Sequence, residues 1–378
     1  MSKEMSKPFV VLYMIGHGPD ATYLERLLVQ VEPLVDGIAF VNTDETNDCI
    51  DVIIDSKIKF RDWVRHTYED RKNFNFAECR NKALMLAIDM IEYSGPSDKQ
   101  NAFVMWLDCD DTITPESVQT LIRHVTDNPD AGGFVLPYEV NAQNDNIRKI
   151  RLHRATEWQW INKVHEELRF TCSNKPELVV LNDCTVKHAP DEGKTNHQFH
   201  IDLLKEGCRN APNEYAYIGK EYFNQGMFNE ALPWLLKTAV IHDWANEKYI
   251  AWLYAGYIML NHKKDTAKAE EYFRNATAAK PNRREAWFFL AQICVREGGK
   301  RLREGLAYIA ACNAQIDENE PMQNQLIYGR DCYLLHAELL VAAKLINQAK
   351  QCLQKVLPEL RNEAWTELAQ LTGLTATN

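Results

Sequence analysis

Between Pro8 and about residue 185 the chain alternates two kinds of apolar pattern. Continuous apolar runs at Pro8–Ile15 (PFVVLYMI), Ile38–Val41, Ala102–Leu107 (AFVMWL) and Phe134–Leu136 predict strands buried on both faces, and Val52–Ile54 predicts another. Between these runs apolar residues recur every three or four positions. Leu24, Leu27, Leu28 and Val31 form one such set, and Val118, Leu121, Ile122 and Val125 another. Ala83, Leu84, Ala87, Ile88 and Ile91 lie in a helix predicted over Phe76–Ile91. That spacing gathers them on one helical face. Alternating strands and helices predict an α/β domain with a Rossmann-like, mostly parallel sheet. Ligands in such folds bind beyond the carboxyl ends of the strands.

From about residue 212 the strand pattern stops and paired helices begin. In Tyr215–Ala239 the residues Gly219, Tyr222, Gly226, Ala231, Leu235, Thr238 and Ala239 fall near the positions of a tetratricopeptide repeat. A looser copy carries Ala269, Phe273, Ala276 and Pro281. A third runs from Ala286 to about Cys312, with Lys300–Glu304 inserted, and a fourth covers Leu326–Pro358 with Ala349, Leu353 and Val356. Small residues at these positions let two helices approach, and each pair must stack on the next to bury its apolar face. The predicted organisation is an α/β domain at 1–196, a connecting helix at 197–211 and an all-α repeat domain at 212–378.

Length and charge narrow the partners. A chain of 378 residues accommodates two domains, and a net charge of −10 argues against a general nucleic-acid coat. No stretch approaches twenty apolar residues, so no membrane insertion is expected. The ten cysteines show neither a CxxC pair nor zinc spacing, which reads as reduced thiols in a cytoplasmic protein.

The chemistry concentrates where AFVMWL meets Asp108-Cys109-Asp110-Asp111. Three carboxylates within four positions repel one another and call for a neutralising partner. A divalent cation held together with a substrate diphosphate would serve. The plainer reading is an acidic turn leading into a helix start at Asp111-Thr112 with Pro115-Glu116.

Five stretches, in order, resemble the family 2 glycosyltransferases of the GT-A fold, in the branch that carries tetratricopeptide repeats after the transferase domain. They are Leu34–Cys49, Phe74–Ala87, Asp108–Asp111, Ile150–Leu168 and Val179–Leu204. The resemblance implies a GT-A domain and a Mn²⁺- or Mg²⁺-dependent transfer from a nucleotide sugar, a UDP-sugar in the first place, with inversion. In the first stretch Asn42 and Asp44 stand where the family has Asp and Gly, and they are assigned to the donor nucleotide. Arg80, in a Phe-x-x-x-Arg-Asn-like segment, is assigned to the diphosphate, the alternative being an ion pair with Glu78 or Asp110. Asp108 matches the first position of the Asp-x-Asp motif and is placed on the ribose or base side. Asp110, Asp111 and His188 are implied as metal ligands, and Lys194 as a phosphate contact. In Val164-His165-Glu166 the resemblance gives Glu166 as general base and His165 as a metal or acceptor contact. Trp158 and Trp160 are either a sugar platform or core.

The repeats imply a macromolecular acceptor, with protein or peptide favoured and nucleic acid possible, or self-association into a homo-oligomer. Arg283, Arg284, Arg296, Lys300, Arg301 and Arg303 form a basic patch that would suit modified DNA. Interspersed Glu285, Glu297 and Glu304 favour a solvated helix face instead. Competing with the enzyme are a non-catalytic repeat scaffold with a decayed transferase domain and a nucleotidyltransferase.

Overall fold

The computed structural model describes residues 7–68, 73–95, 102–140, 147–173, 176–189, 197–207, 212–297, 300–314, 324 and 326–374. The chain divides into two compact units, Met1–Leu203 and Leu204–Asn378. The division falls inside the helix His197–Gly207.

In the first unit the elements run β1 (Phe9–Gly16), α1 (Ala21–Val31), β2 (Gly37–Asn42), α2 (Asp48–Asp55), β3 (Phe60–Arg65), α3 (Phe76–Ser94), β4 (Ala102–Trp106), β5 (Asp111–Ile113) and α4 (Pro115–Asp127). There follow β6 (Gly133–Glu139), β7 (Ile147–His153), β8 (Trp158–Ile161), β9 (Glu167–Phe170), β10 (Leu178–Val180), β11 (Val186–His188) and α5 (His197–Gly207). Strand order is β3-β2-β1-β4-β7-β6-β11-β5, with β10 also on β6, while β8 and β9 form a separate hairpin. The pairs β3–β2, β2–β1, β1–β4, β6–β10 and β6–β11 are parallel, and β4–β7, β7–β6 and β11–β5 are antiparallel.

The unbroken apolar runs follow from burial on both faces. In β1, Val10, Leu12 and Met14 enter one core with α1 and α4, while Val11 and Tyr13 enter another with α3. Strand β4 divides the same way, Phe103 and Met105 against Val104 and Trp106. The period of two leaves no place for a polar residue until the strand ends. Thr114 caps α4 by accepting from Ser117 N at 3.2 Å, with Pro115 in the first turn. The helix therefore starts four residues after Asp111, which instead opens the short strand β5.

One expected strand is a helix, and one strand goes unpredicted. Val52–Ile54 lies in helix α2, because Cys49, Ile50 and Ile53 are the buried face of an amphipathic turn. The third strand is β3, whose sequence FRDWVR is exposed along most of its length at the sheet edge. An edge strand without a buried face carries no alternating apolar signal.

The second unit holds helix pairs α6 (Pro212–Asn224) with α7 (Phe228–Ile241), α8 (Ala245–Ile258) with α9 (Thr266–Ala279), α10 (Arg284–Arg296) with α11 (Leu302–Ala314), and α12 (Cys332–Ala342) with α13 (Ile346–Leu353), ending in α14 (Glu363–Thr372). This is a helical-repeat architecture. A Cβ on Gly219 would sit 3.0 Å from Leu235 Cδ2, and one on Gly256 would sit 2.6 Å from Phe273 Cε1, so these glycines set the helix spacing within the pairs. Gly226 turns α6 into α7 at φ +72°.

The basic run divides: Arg296, Lys300 and Arg303 are exposed, as a solvated face requires, while the others turn inward or into ion pairs. Arg283 and Arg284 are buried, 1% and 2% exposed. Arg283 pairs with Glu285 at 2.8 Å, and Arg301 with Glu270 at 2.8 Å and Glu304 at 2.6 Å. Nine described cysteines are free thiols, eight of them buried. Among the described residues no helix is long and apolar enough to cross a membrane.

Candidate functional site

Parallel strands β2, β1 and β4 end together, and the polar residues that follow them collect on one side of the sheet. After β4, Asp108–Asp111 folds into a turn closed twice: Asp111 N donates to Asp108 O at 3.0 Å, and Asp108 N donates to Asp111 Oδ2 at 2.9 Å. Asp111 is wholly buried; its Oδ1 accepts from the Tyr138 hydroxyl at 3.0 Å and its Oδ2 lies 3.1 Å from Arg151. It thus anchors the turn.

Antiparallel pairing of β5 with β11 sets His188 opposite Asp111. His188 Nδ1 lies 3.5 Å from Asp110 Oδ1 and 3.7 Å from Asp111 Oδ1, is buried, and makes no hydrogen bond. Donor atoms of Asp110, Asp111 and His188 all fall within 4.8 Å of one another. A buried imidazole nitrogen with no partner, facing two carboxylates, fits a cation with oxygen and nitrogen ligands. The Asp111 contact and the Asp110 and Asp111 charges, against burial, raise the affinity of His188 for a proton.

A second cluster adjoins the first through Asp108. Arg80, on the first turn of α3, donates from Nη2 to Asp108 Oδ1 and from Nε to Glu166 Oε1, both at 2.5 Å. Its guanidinium packs against both the Trp106 and Trp160 rings, 5.1 and 4.9 Å from their centroids. Burial pulls the Asp108 pKa upward, but Arg80, Arg151 and Lys149 outweigh it and hold the carboxyl below the ordinary range. Glu166 arrives on the β8–β9 hairpin, whose turn puts Asn162 at φ 68° and His165 at φ 53°. Two non-glycine residues in left-handed conformation mark a strained segment. Phe76 N donating to Lys163 O at 3.0 Å ties that turn to the start of α3.

Between these groups lies a pocket of about 240 Å³, lined by Phe76, Arg80, Trp106, Asp108, Lys149 and Trp160 together with Val164, His165, Glu166 and His200. The sequence reading missed Lys149, Arg151 and His200. Lys149 and Arg151 flank Ile150 on β7, so they share a face and stack on Trp106 and Tyr138. That alternation was the available signal. His200 comes from α5, read as a mere connector; its ring lies 5.9 Å from Phe76 and 6.3 Å from His165.

The remaining candidates lie elsewhere. Asn42, at the end of β2, is 1% exposed and donates to Thr46 O at 2.6 Å. Asp44 accepts from Gly18 N at 2.7 Å and from Thr46 N and Oγ1 at 3.1 and 3.0 Å. Both side chains hold the β2–α2 loop, while the buried Oδ1 of Asn42 makes no hydrogen bond. Arg80 pairs with neither Glu78 nor Asp110. Trp158 and Trp160 are buried, Trp160 packing edge-on to Trp106 with centroids 4.8 Å apart while also lining the pocket. Lys194 lies outside the described residues.

No protein-family model matches the chain. No curated protein matches it either. Among solved structures, MamA is similar over 48% of this chain and 85% of its own, at 14% identity and a TM-score of 0.33. PilF of Pseudomonas aeruginosa is similar over 46% of this chain and 72% of its own, at 17% identity and a TM-score of 0.37. YrrB, described as a TPR protein with an unusual peptide-binding site, is similar over 46% and 81%, at 18% identity and a TM-score of 0.32. The repeat architecture rests on the helix pairs themselves rather than on these likenesses.

Proposed function

We propose that the chain is a metal-dependent glycosyltransferase of GT-A type, moving a sugar from a nucleotide sugar to a macromolecular acceptor with inversion. One observation carries the reading: the Asp108–Asp111 turn at the end of β4 meets His188 on one side and the Arg80–Glu166 pair on the other. Asp110 and His188, with Asp111 behind them, would hold Mn²⁺ or Mg²⁺, which supplies charge neutralisation for the leaving diphosphate. Arg80 fixes the direction of the Glu166 side chain toward the pocket, as a general base that takes the acceptor proton requires. Asp108, held by the same arginine, is placed to accept from donor hydroxyls. Trp106, Trp160 and Phe76 give the pocket apolar walls beside these polar groups.

A second reading, a binding scaffold built on the repeats, is favoured by Asp44, which accepts from Gly18 and Thr46 where the resemblance expects a nucleotide contact. Incubation with a panel of nucleotide sugars and Mn²⁺ separates the two. The transferase reading expects Mn²⁺-dependent release of nucleoside diphosphate from one of them, abolished by Glu166→Gln. Release of pyrophosphate would indicate nucleotidyl transfer, and no release under any condition would favour the scaffold.

A further inference from the structure

The charged groups lining the 240 Å³ pocket are unequally served. Arg80 holds both carboxylates, Asp108 and Glu166, at 2.5 Å. Lys149 also lines the pocket, yet among the described residues its ammonium makes no hydrogen bond and no ion pair. Its neighbours are the faces of Tyr138 and Trp106, 4.4 and 5.4 Å away. Burial, with repulsion from Arg151, pushes the lysine toward losing its proton, although Asp108 opposes this. An ammonium has three donors, and with no protein acceptor on them among the described residues they are open to a ligand that brings acceptors.

The pocket also has a definite position and size. None of Asp110, Asp111 and His188 lines it, so a metal-bound diphosphate would sit outside. Glu166, the candidate base, does line it. Its volume lies below the 300–1,000 Å³ range of pockets for drug-sized ligands and suits one small ring. Trp106, Trp160 and Phe76 offer apolar walls for the carbon face of such a ring. A neutral ring would leave the Lys149 charge unmatched, whereas a carboxylate would match it.

We propose that this pocket is a subsite for a monosaccharide ring bearing a carboxylate, held by Lys149 against the tryptophan walls. Its place in a reaction rests on the transferase reading; its existence as a binding site does not. The acidic ring belongs either to the donor sugar or to the end of an acceptor glycan.

Binding of free glucuronate and free glucose to the full chain, followed by saturation-transfer NMR, tests it without a nucleotide. The expected result is glucuronate bound at least about tenfold tighter than glucose, with the preference lost in Lys149→Met (a factor of ten is 1.4 kcal/mol). A cooperative thermal transition shows that the variant folds, and Lys149→Gln replaces it if it does not. Equal binding of the two sugars, or a preference unchanged in the folded variant, overturns the proposal. UDP-glucuronate and UDP-glucose, compared with Mn²⁺ present, then locate the ring. A preference for the acidic donor assigns it to the donor; equal binding, with the free-glucuronate preference intact, assigns it to the acceptor. Failure of every nucleotide to bind would count against the transferase reading alone.

Discussion

Arg80 in the sheet unit and Arg283 in the helical unit are both buried arginines gripped by carboxylates, but they face different surroundings. Arg283 donates to Glu285, itself 3% exposed, and to Asn246 at 3.0 Å. Glu285 also accepts from the Tyr249 hydroxyl at 2.8 Å and from Asn324 N at 3.3 Å. Every charge there is matched inside the protein, and the cluster ties α8, α10 and the segment before α12 together. The Arg80 partners come from the turn after β4 and the β8–β9 hairpin, meet at a pocket, and leave Lys149 without a polar partner among the described residues. A buried ion pair by itself therefore does not mark a site. Open valences at a cavity do.

The largest expected effect comes from breaking the sealed cluster. Arg283→Ala leaves Glu285 charged and buried, and should cost about 3–5 kcal/mol in the unfolding transition of the helical unit, measured in urea. Arg283→Met combined with Glu285→Leu should recover most of that loss, since both charges then leave together. Arg80→Ala should cost less, about 1–3 kcal/mol in the sheet unit. The difference arises because the Asp108 and Glu166 side chains are 27% and 14% exposed and can reach water through the pocket. Equal losses at the two arginines would erase the distinction drawn between them.

Packing comes next. Gly256→Ala forces a methyl against Phe273, which stacks on Phe289 with centroids 5.0 Å apart. Overpacking of this kind should cost about 1–3 kcal/mol by the same urea measurement.

The smallest effect is electrostatic and sits on the helical surface. Hydrogen bonds from Arg301 and Tyr308 hold the Glu304 carboxyl down at about 2, and Arg301 with Arg274 lowers Glu270. A depressed folded-state pKa adds stability above the unfolded value near 4.5, and that stability is lost as pH falls toward 2. The urea midpoint of the helical unit should fall over that window, and Arg301→Met should flatten the fall. These groups are near the surface, so salt should weaken the effect.

What the sequence conveyed differs between the two regions in the same physical way. Strands β1, β2 and β4 announced themselves because both faces are buried, and the helix pairs because glycine and alanine recur where helices touch. Edge strand β3 has no buried face, so its residues carry no period. In the site, the Asp108–Asp111 turn was legible because a carboxylate cluster after an apolar run is costly without a reason. His188 was legible only through its place in an order of motifs, since its opposition to Asp111 depends on a β5–β11 register that no local pattern encodes. Lys149 and His200 were not, because a lysine on a strand and a histidine on a connecting helix look like ordinary surface until the sheet and α5 place them around one pocket. Arg283 misled for the converse reason: in sequence it belongs to a basic run, and in space it is sealed by residues 37 and two positions away.

The most direct test of the central claim is the thermal shift of the full chain with UDP, GDP, CDP and ADP, with and without Mn²⁺, on the wild type and on Asp110→Ala. The account predicts stabilisation by one nucleotide that requires Mn²⁺ and disappears in a variant that folds as well as the wild type. Stabilisation by none of them, or one that survives Asp110→Ala undiminished, would contradict it.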